Sequence, residues 1–236
     1  MDEERKRLDA IAAGVSYASG IGEKTNQYAF RIIRRHYAGG CVWEAGAAEG
    51  ALSEKLAELD APLTLLDGAE KKCVLLRRRF PNADVVHSLI EEYEPETGAD
   101  NIVASHVLEH VADADAVMRR LASWLNPGGR LFVFTPNAMS VHRQAAALMG
   151  LLPHEEALNE TDKKIGHRRV FHPLSLRRCV SGAGLRILHF GGYWLKPVSN
   201  AQIESHWDAR MTDAFLRLGE NYPDIAAEIY AVAEKP

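Results

Sequence analysis

Cysteine is scarce in this sequence. The three present, Cys41, Cys73 and Cys179, are odd in number and far apart. That excludes a disulfide framework and any cysteine-based zinc spacing, and it fits a reducing, cytoplasmic setting. Long apolar runs are also missing, and none reaches the length that spans a bilayer. The opening Met-Asp-Glu-Glu-Arg-Lys-Arg is charged and lacks the apolar stretch of a signal peptide. There is no surplus of positive charge. Lys and Arg total 28 against 32 Asp and Glu, a formal net charge of −4, which disfavours a sequence-independent grip on nucleic acid. Internal repeats and low-complexity tracts are absent. What is present, 236 residues with 47% hydrophobic and 25% charged side chains, suffices for one α/β domain with a sizeable core.

Strand-like and helix-like patterns alternate through the middle of the chain. Residues 2–13 read as an amphipathic helix with Leu8, Ile11 and Ala12 on one side, and Gly14 to Gly22 as a linker holding Tyr17. Thr25 to Tyr37 has helical spacing of Tyr28, Ala29, Ile32 and Ile33, and Gly39–Gly40 ends it. Apolar runs at Cys41–Trp43, Leu63–Leu66, Ala83–His87, Ile102–Ala104 and Arg130–Thr135 predict strands, with helices at Glu70–Phe80 and Asp113–Leu125. The link at 88–100 has room for a turn or two of helix at most. Residues 138–172 break the alternation, with a helix-like Ser140–Met149 and a polar loop. A helix at Leu174–Gly182, a strand at Leu185–Phe190, one helical excursion at 199–221 and a strand at Ala227–Ala233 follow. This order predicts a doubly wound, Rossmann-like, mostly parallel seven-stranded sheet. The expected single domain comprises an N-terminal helical lid (1–38), a core that binds the cofactor (39–137), a substrate-cap insertion after the fifth strand (138–172) and the remaining sheet (173–236).

The chain is organised around residues 41–50, Cys-Val-Trp-Glu-Ala-Gly-Ala-Ala-Glu-Gly. A strand, a turn of small residues and a helix make a ligand crevice in an open α/β sheet, and Gly46 and Gly50 can adopt positive φ. A dinucleotide site would carry G-x-G-x-x-G. Here Glu44 stands at the strand end, where a carboxylate repels a pyrophosphate but pairs with an ammonium. Asp67 ends the second strand, 23 positions later, where it can accept two ribose hydroxyl protons. These features resemble motif I of the class I S-adenosylmethionine-dependent methyltransferases, in particular the small-molecule, ubiquinone-biosynthesis-like subgroup. Ala48 departs from the family's second glycine and is expected at negative φ.

The resemblance extends through Ala99–Val111, which contains Leu-Glu-His-Val and is similar to motif IV, and through the Asn-Pro-Gly-Gly-Arg-Leu turn at 126–131. It is close over 41–137 and looser over the last two strands. It implies S-adenosyl-L-methionine as cofactor, with Tyr17, Glu44, Gly46, Ala47, Gly50, Asp67, Gly68, Ser88, Leu89, Ser105 and His106 as its candidate contacts. Ser88 replaces the family's usual aspartate at the adenine edge. Six of the ten histidines fall in expected substrate territory. A neutral imidazole can remove a hydroxyl proton, so His106, His142 and His167 are the candidate catalytic residues. Tyr28, Arg143 and Arg168 are candidate substrate contacts, since guanidinium forks bind carboxylate or phosphate. The basic run Lys71, Lys72, Arg77, Arg78, Arg79 reads as a solvated helix face. No histidine pair stands at metal-ligand spacing within a helix, so no metal is expected.

The reading is therefore methyl transfer to a hydroxyl or amine of a small metabolite, which the arginines allow to be anionic, by a monomer or homodimer without nucleic-acid or membrane partners. An N-methyltransferase relying on positioning alone, a protein or nucleic-acid methyltransferase, and a non-catalytic module that only binds the cofactor are the alternatives. A nicotinamide oxidoreductase shares the sheet, but its G-x-G-x-x-G turn is missing from this sequence.

Overall fold

The structure is a computed structural model that describes residues 4, 5, 7 and 20–236. Most of the expected first helix and linker, including Tyr17, lies outside the described residues. The apolar runs form β1 (Val42–Ala45), β2 (Leu63–Asp67), β3 (Asp84–His87), β4 (Ala99–Ser105), β5 (Leu125–Pro136), β6 (Arg186–Tyr193) and β7 (Glu228–Glu234). They make one sheet in the order β3-β2-β1-β4-β5-β7-β6. The pairs from β3 to β5 are parallel, and β7 runs antiparallel to both β5 and β6. This is the doubly wound, mostly parallel seven-stranded sheet that the alternation predicts.

The two-residue repeat of the strands divides the core into two layers. From β4 and β5, Ile102, Ala104, Leu131 and Val133 face one layer with Leu121 and Trp124 of α4 (Ala114–Trp124). Val103, Phe132 and Phe134 face the other, with Ile32 and Ile33 of α1 (Gly20–His36). Because both sheet faces are covered, β1 and β7 are almost wholly buried and read as continuous apolar runs rather than alternating ones.

Three elements differ from the sequence pattern. The helix α1 starts at Gly20, not Thr25, so the end of the glycine-rich linker is helical. The turn Asn126–Gly129 is taken into β5, with a register shift against β4. The excursion at 199–221 is two helices, α8 (Asn200–His206) and α9 (Ala209–Leu218), the second capped by Asp208, whose side chain accepts from Met211 N. Among the described residues, no helix is long and apolar enough to cross a membrane.

The insertion holds α5 (Val141–Leu148) and α6 (Glu160–Lys164), and α7 (Pro173–Gly182) follows it. It folds back over the carboxyl ends of the strands. Ala138 N donates to Phe171 O and Arg168 N to Glu109 O, both within 2.8 Å. Strand order reverses between β1 and β4, and the carboxyl edge there is where open α/β sheets hold ligands.

Candidate active site

The cleft opens at the carboxyl ends of β1, β2 and β4. Gly46, Asp67, Gly68, Ser88, Leu89, His106, Val107 and His110 line its larger part. An adjoining part is lined by Asn26, Glu44, Ala47, Ser105 and His106. Of the described residues expected to meet a cofactor, only Gly50 falls elsewhere. Gly50 precedes α2 (Ala51–Leu56) at φ 81°, and a Cβ there would lie 2.5 Å from the Phe80 ring. Its place is to turn the chain into the helix. Gly46 has φ 79°, and its Cβ would strike Val107 Cγ2 at 2.7 Å. Its lack of a side chain lets the first loop approach the motif after β4.

Backbone amides and two carboxylates build the β1–β2 side. Asp67 Oδ2 accepts from Ala48 N and Oδ1 from Ala69 N, each at 2.8 Å. The aspartate thus ties both loops together while lining the cleft. Burial raises its pKa, against the pull of those two amides. Glu44 is buried and accepts from Ser53 Oγ; burial raises its pKa to about 8, opposed by Ser53 and assisted by Asp67. Ala48 sits at φ 48°, not at the negative φ expected of it. The bond from its amide to Asp67 holds the residue in that left-handed conformation, where an L side chain is strained by about 1–2 kcal/mol. Ser88 Oγ donates to Leu89 O at 3.0 Å, and Leu89 is buried.

On the β4–β7 side, charged side chains from three distant segments gather around His106. His106 follows β4 at φ 55°. Its Nδ1 lies 3.1 Å from Glu109 Oε1 and its Nε2 3.6 Å from Glu228 Oε2. Burial works to lower the His106 pKa, but Glu228 and Glu109 outweigh it and raise it to about 9. Two carboxylates thus flank the ring and favour its charged form, because β7 brings up an acid that the sequence pattern leaves unremarked. Glu228 is buried, which raises its own pKa against the opposing pull of His106 and Lys196, and its Oε2 has no hydrogen-bond partner among the described residues.

Other expected contacts are already engaged. Tyr28 is buried, stacks on Tyr193 at 5.2 Å and donates to Glu220 at 2.5 Å, so it anchors α1 to the sheet. Arg143 pairs with Asp162 at 3.0 Å and donates to Glu155 O and Ala157 O, so it holds the insertion together. Arg168 pairs with Glu4 at 2.6 Å and donates to His110 O. Neither arginine presents a free fork to a substrate anion, because the insertion folds around its own guanidinium groups. His142 is absent from the cleft wall. Burial, with Lys196 and Arg143 nearby, lowers its pKa to about 3. His167 stands edge-on to the His110 ring at 4.7 Å, with Nδ1 3.4 Å from Asp162 Oδ1. Glu109, His110 and His167 offer donor atoms within 4.8 Å of one another, a set that can hold a metal ion. Residues 109 and 110 are neighbours and His167 is distant in sequence, so helix spacing could not reveal the group.

The chain matches the family model described as "Methyltransferase domain" over residues 5–190. It belongs to that family. Its relatives include the ubiquinone biosynthesis O-methyltransferase of Xanthomonas euvesicatoria, 30% identical over 211 residues, which cover 83% of this chain and 87% of the relative. A probable S-adenosylmethionine-dependent methyltransferase of Mycolicibacterium smegmatis is 27% identical, with 90% of this chain and 88% of that protein covered. Among solved structures, the N-methyltransferase NodS of Bradyrhizobium japonicum in complex with S-adenosyl-L-homocysteine shares the fold, with a TM-score of 0.67 at 15% identity, covering 99% of this chain and 98% of that one. The protein is thus an S-adenosylmethionine-dependent methyltransferase. The cleft of this methyltransferase fits the cofactor. The Gly46 cradle has no space for a Cβ, and a buried carboxylate stands ready at each of the first two strand ends.

Proposed function

We propose that the enzyme methylates a hydroxyl oxygen of a small-molecule metabolite. The observation that carries this reading is the pair of buried carboxylates flanking His106. Glu228, with an oxygen that takes no hydrogen bond among the described residues, can accept the proton that a hydroxyl gives up as it is methylated. The name of the 30%-identical Xanthomonas relative, an O-methyltransferase, supports oxygen over nitrogen. The insertion supports a small acceptor, because it folds back onto the loop after β4 and roofs that end of the cleft.

S-adenosylmethionine, when bound, supplies an electrophilic methyl group on a sulfonium. The protein's share is orientation, exclusion of water and acceptance of one proton. Glu44 is assigned to the ammonium of the methionine end and Asp67 to the ribose hydroxyls. Ser88 and Leu89 meet the adenine, and Gly46, Ala47 and Gly68 supply close-approaching backbone. Ser105 and His106 stand at the methyl position. His142 and His167 shape the acceptor end from behind.

The test is transfer of an isotopically labelled methyl group from S-adenosylmethionine into fractionated metabolite pools, with the label located by mass spectrometry and NMR. A methoxy product is expected. Label on nitrogen, or on protein or nucleic acid, would overturn the hydroxyl reading.

A further inference from the structure

We propose that the end of β6 selects a hydroxy acid as acceptor: Trp194 and Lys196 bind its carboxylate, while Tyr193 and Glu228 hold its reacting hydroxyl. The place of the hydroxyl rests on the reading above, whereas binding of the carboxylate does not.

Strand pairing puts these residues beside the methyl position. β6 ends at Tyr193, directly across from Glu228 of β7. Opposite residues of an antiparallel pair share a sheet face. Glu228 in turn has Oε2 3.6 Å from His106 Nε2. Tyr193 is therefore a neighbour of the acid assigned to take the proton. Its ring is fixed by Tyr28, stacked at 5.2 Å, and by Phe134, edge-on at 6.3 Å.

Three buried polar atoms here have no hydrogen-bond partner among the described residues: Tyr193 OH, Trp194 Nε1 and Glu228 Oε2. Tyr193 and Trp194 are 0% and 2% exposed, so water does not serve them. Buried polar groups left unpaired are costly. Two of the three are donors and one is an acceptor, which fits a ligand that offers oxygen lone pairs and a hydroxyl proton. Burial and the nearby Glu228 hold the Tyr193 pKa well above that of an ordinary phenol, so its hydroxyl remains a donor.

A cation completes the set. The Lys196 ammonium lies 5.0 Å from the centroid of the Trp194 ring. It is partly buried and forms no ion pair among the described residues. The nearby acids are already committed, Glu228 to His106 and Asp162 to Arg143. Burial lowers the Lys196 pKa to about 8, opposed by Glu228, so the ammonium is charged at neutral pH. A desolvated cation without a partner is satisfied by an anion. An ammonium and an indole N–H gathered on one ring suit the two oxygens of a carboxylate.

The backbone is bent to present the indole. Trp194 has φ 66°, a region that bulky L residues rarely adopt. Its N–H donates to Leu216 O at 2.9 Å and its carbonyl accepts from Ala227 N at 2.7 Å, so both neighbours enforce the bend. Such conformations cluster at ligand sites, where the surrounding structure over-determines them.

The experiment uses the full-length protein saturated with S-adenosylhomocysteine. It is titrated by calorimetry with glycolate, 3-hydroxybutyrate and 3-hydroxybenzoate, each beside its amide. At least one acid should bind saturably, and its amide at least tenfold more weakly. Lys196→Met should weaken binding of that acid at least tenfold, and Lys196→Arg should restore part of the loss. Trp194→Phe, which keeps a ring but loses the N–H, should weaken it several-fold. Far-ultraviolet circular dichroism and S-adenosylhomocysteine affinity should be unchanged in every variant. Binding of none of the acids, equal binding of acid and amide, or undiminished binding by Lys196→Met would overturn the proposal. The bound acid is then offered with labelled S-adenosylmethionine. Label on its hydroxyl oxygen is expected, with turnover at least tenfold lower in Tyr193→Phe. Label on the carboxylate would overturn the proposal, because that group would then sit at the methyl position. An acid held through Lys196 that takes no label removes the hydroxyl reading and leaves the carboxylate site standing.

Discussion

On the β1–β2 side, the cleft is made of backbone amides, glycines and the carboxylates of Glu44, Glu49 and Asp67, all within residues 44–69. On the β4–β7 side His106 and His110 line it, and buried or partly buried ionisable side chains at 109, 142–143, 162, 196 and 228 stand behind them. The first arrangement suits a ligand that never changes. Loops tied by Asp67 hold one shape, and small residues admit the ligand close to the chain. The second suits a ligand that must be chosen and that gives up a proton. Buried charges there compensate one another across five segments, so removal of one leaves its partner exposed to a low-dielectric interior.

The two sides should therefore respond differently to mutation. Arg143→Ala should have the largest effect, since it leaves Asp162 buried without its cation. A loss of about 3–5 kcal/mol in unfolding free energy is expected from urea titration. S-adenosylhomocysteine affinity should be retained wherever the variant remains folded. Glu228→Gln keeps the shape but removes a proton acceptor, so turnover should fall by about 10²–10⁴-fold in steady-state kinetics with cofactor affinity unchanged. A turnover within a few-fold of the parent enzyme would break the contrast.

Glu44 gives a pH signature for the other side. Its pKa in the folded protein is raised from 4.5 to about 8, so the folded state holds this proton more tightly than the unfolded chain does. The resulting stabilisation is complete below pH 4.5 and is lost as pH rises through 8. A ligand ammonium pairs with the ionised carboxylate, so binding expels the proton. S-adenosylhomocysteine affinity should rise between pH 6 and 8, by up to about tenfold per unit, and calorimetry in buffers of different ionisation enthalpy should record proton release. The smallest effect is expected at Ala48→Gly. Relief of a positive φ outweighs the added freedom of the unfolded chain, for a net gain of roughly 0.5–1 kcal/mol measured as a rise in Tm.

The same contrast explains what could be read from the sequence. Glu44, Gly46 and Asp67 are legible because strand, turn and acid follow one another at fixed short spacing, and the sheet order follows from the alternation of patterns. Glu228 is not legible. It lies 122 positions after His106, at the start of an apolar run, and only the antiparallel return of β7 beside β5 brings it to the strand end. Arg143 and Arg168 are visible as charges, but their partners are set by how the insertion folds. Ala48 misled for a local reason. Its φ is decided by a hydrogen bond to a residue 19 positions away, not by its own preference.

The division between a cofactor side and an acceptor side is tested most directly by calorimetry of S-adenosylhomocysteine with Asp67→Ala and Glu228→Gln in parallel. Removal of a charged acceptor that ties two loops should cost about 2–3 kcal/mol, so the Asp67 variant should bind roughly 30- to 150-fold more weakly. The Glu228 variant should match the parent protein. Undiminished binding by Asp67→Ala, or an equal loss in both variants, would contradict the assignment of the β1–β2 side to the cofactor.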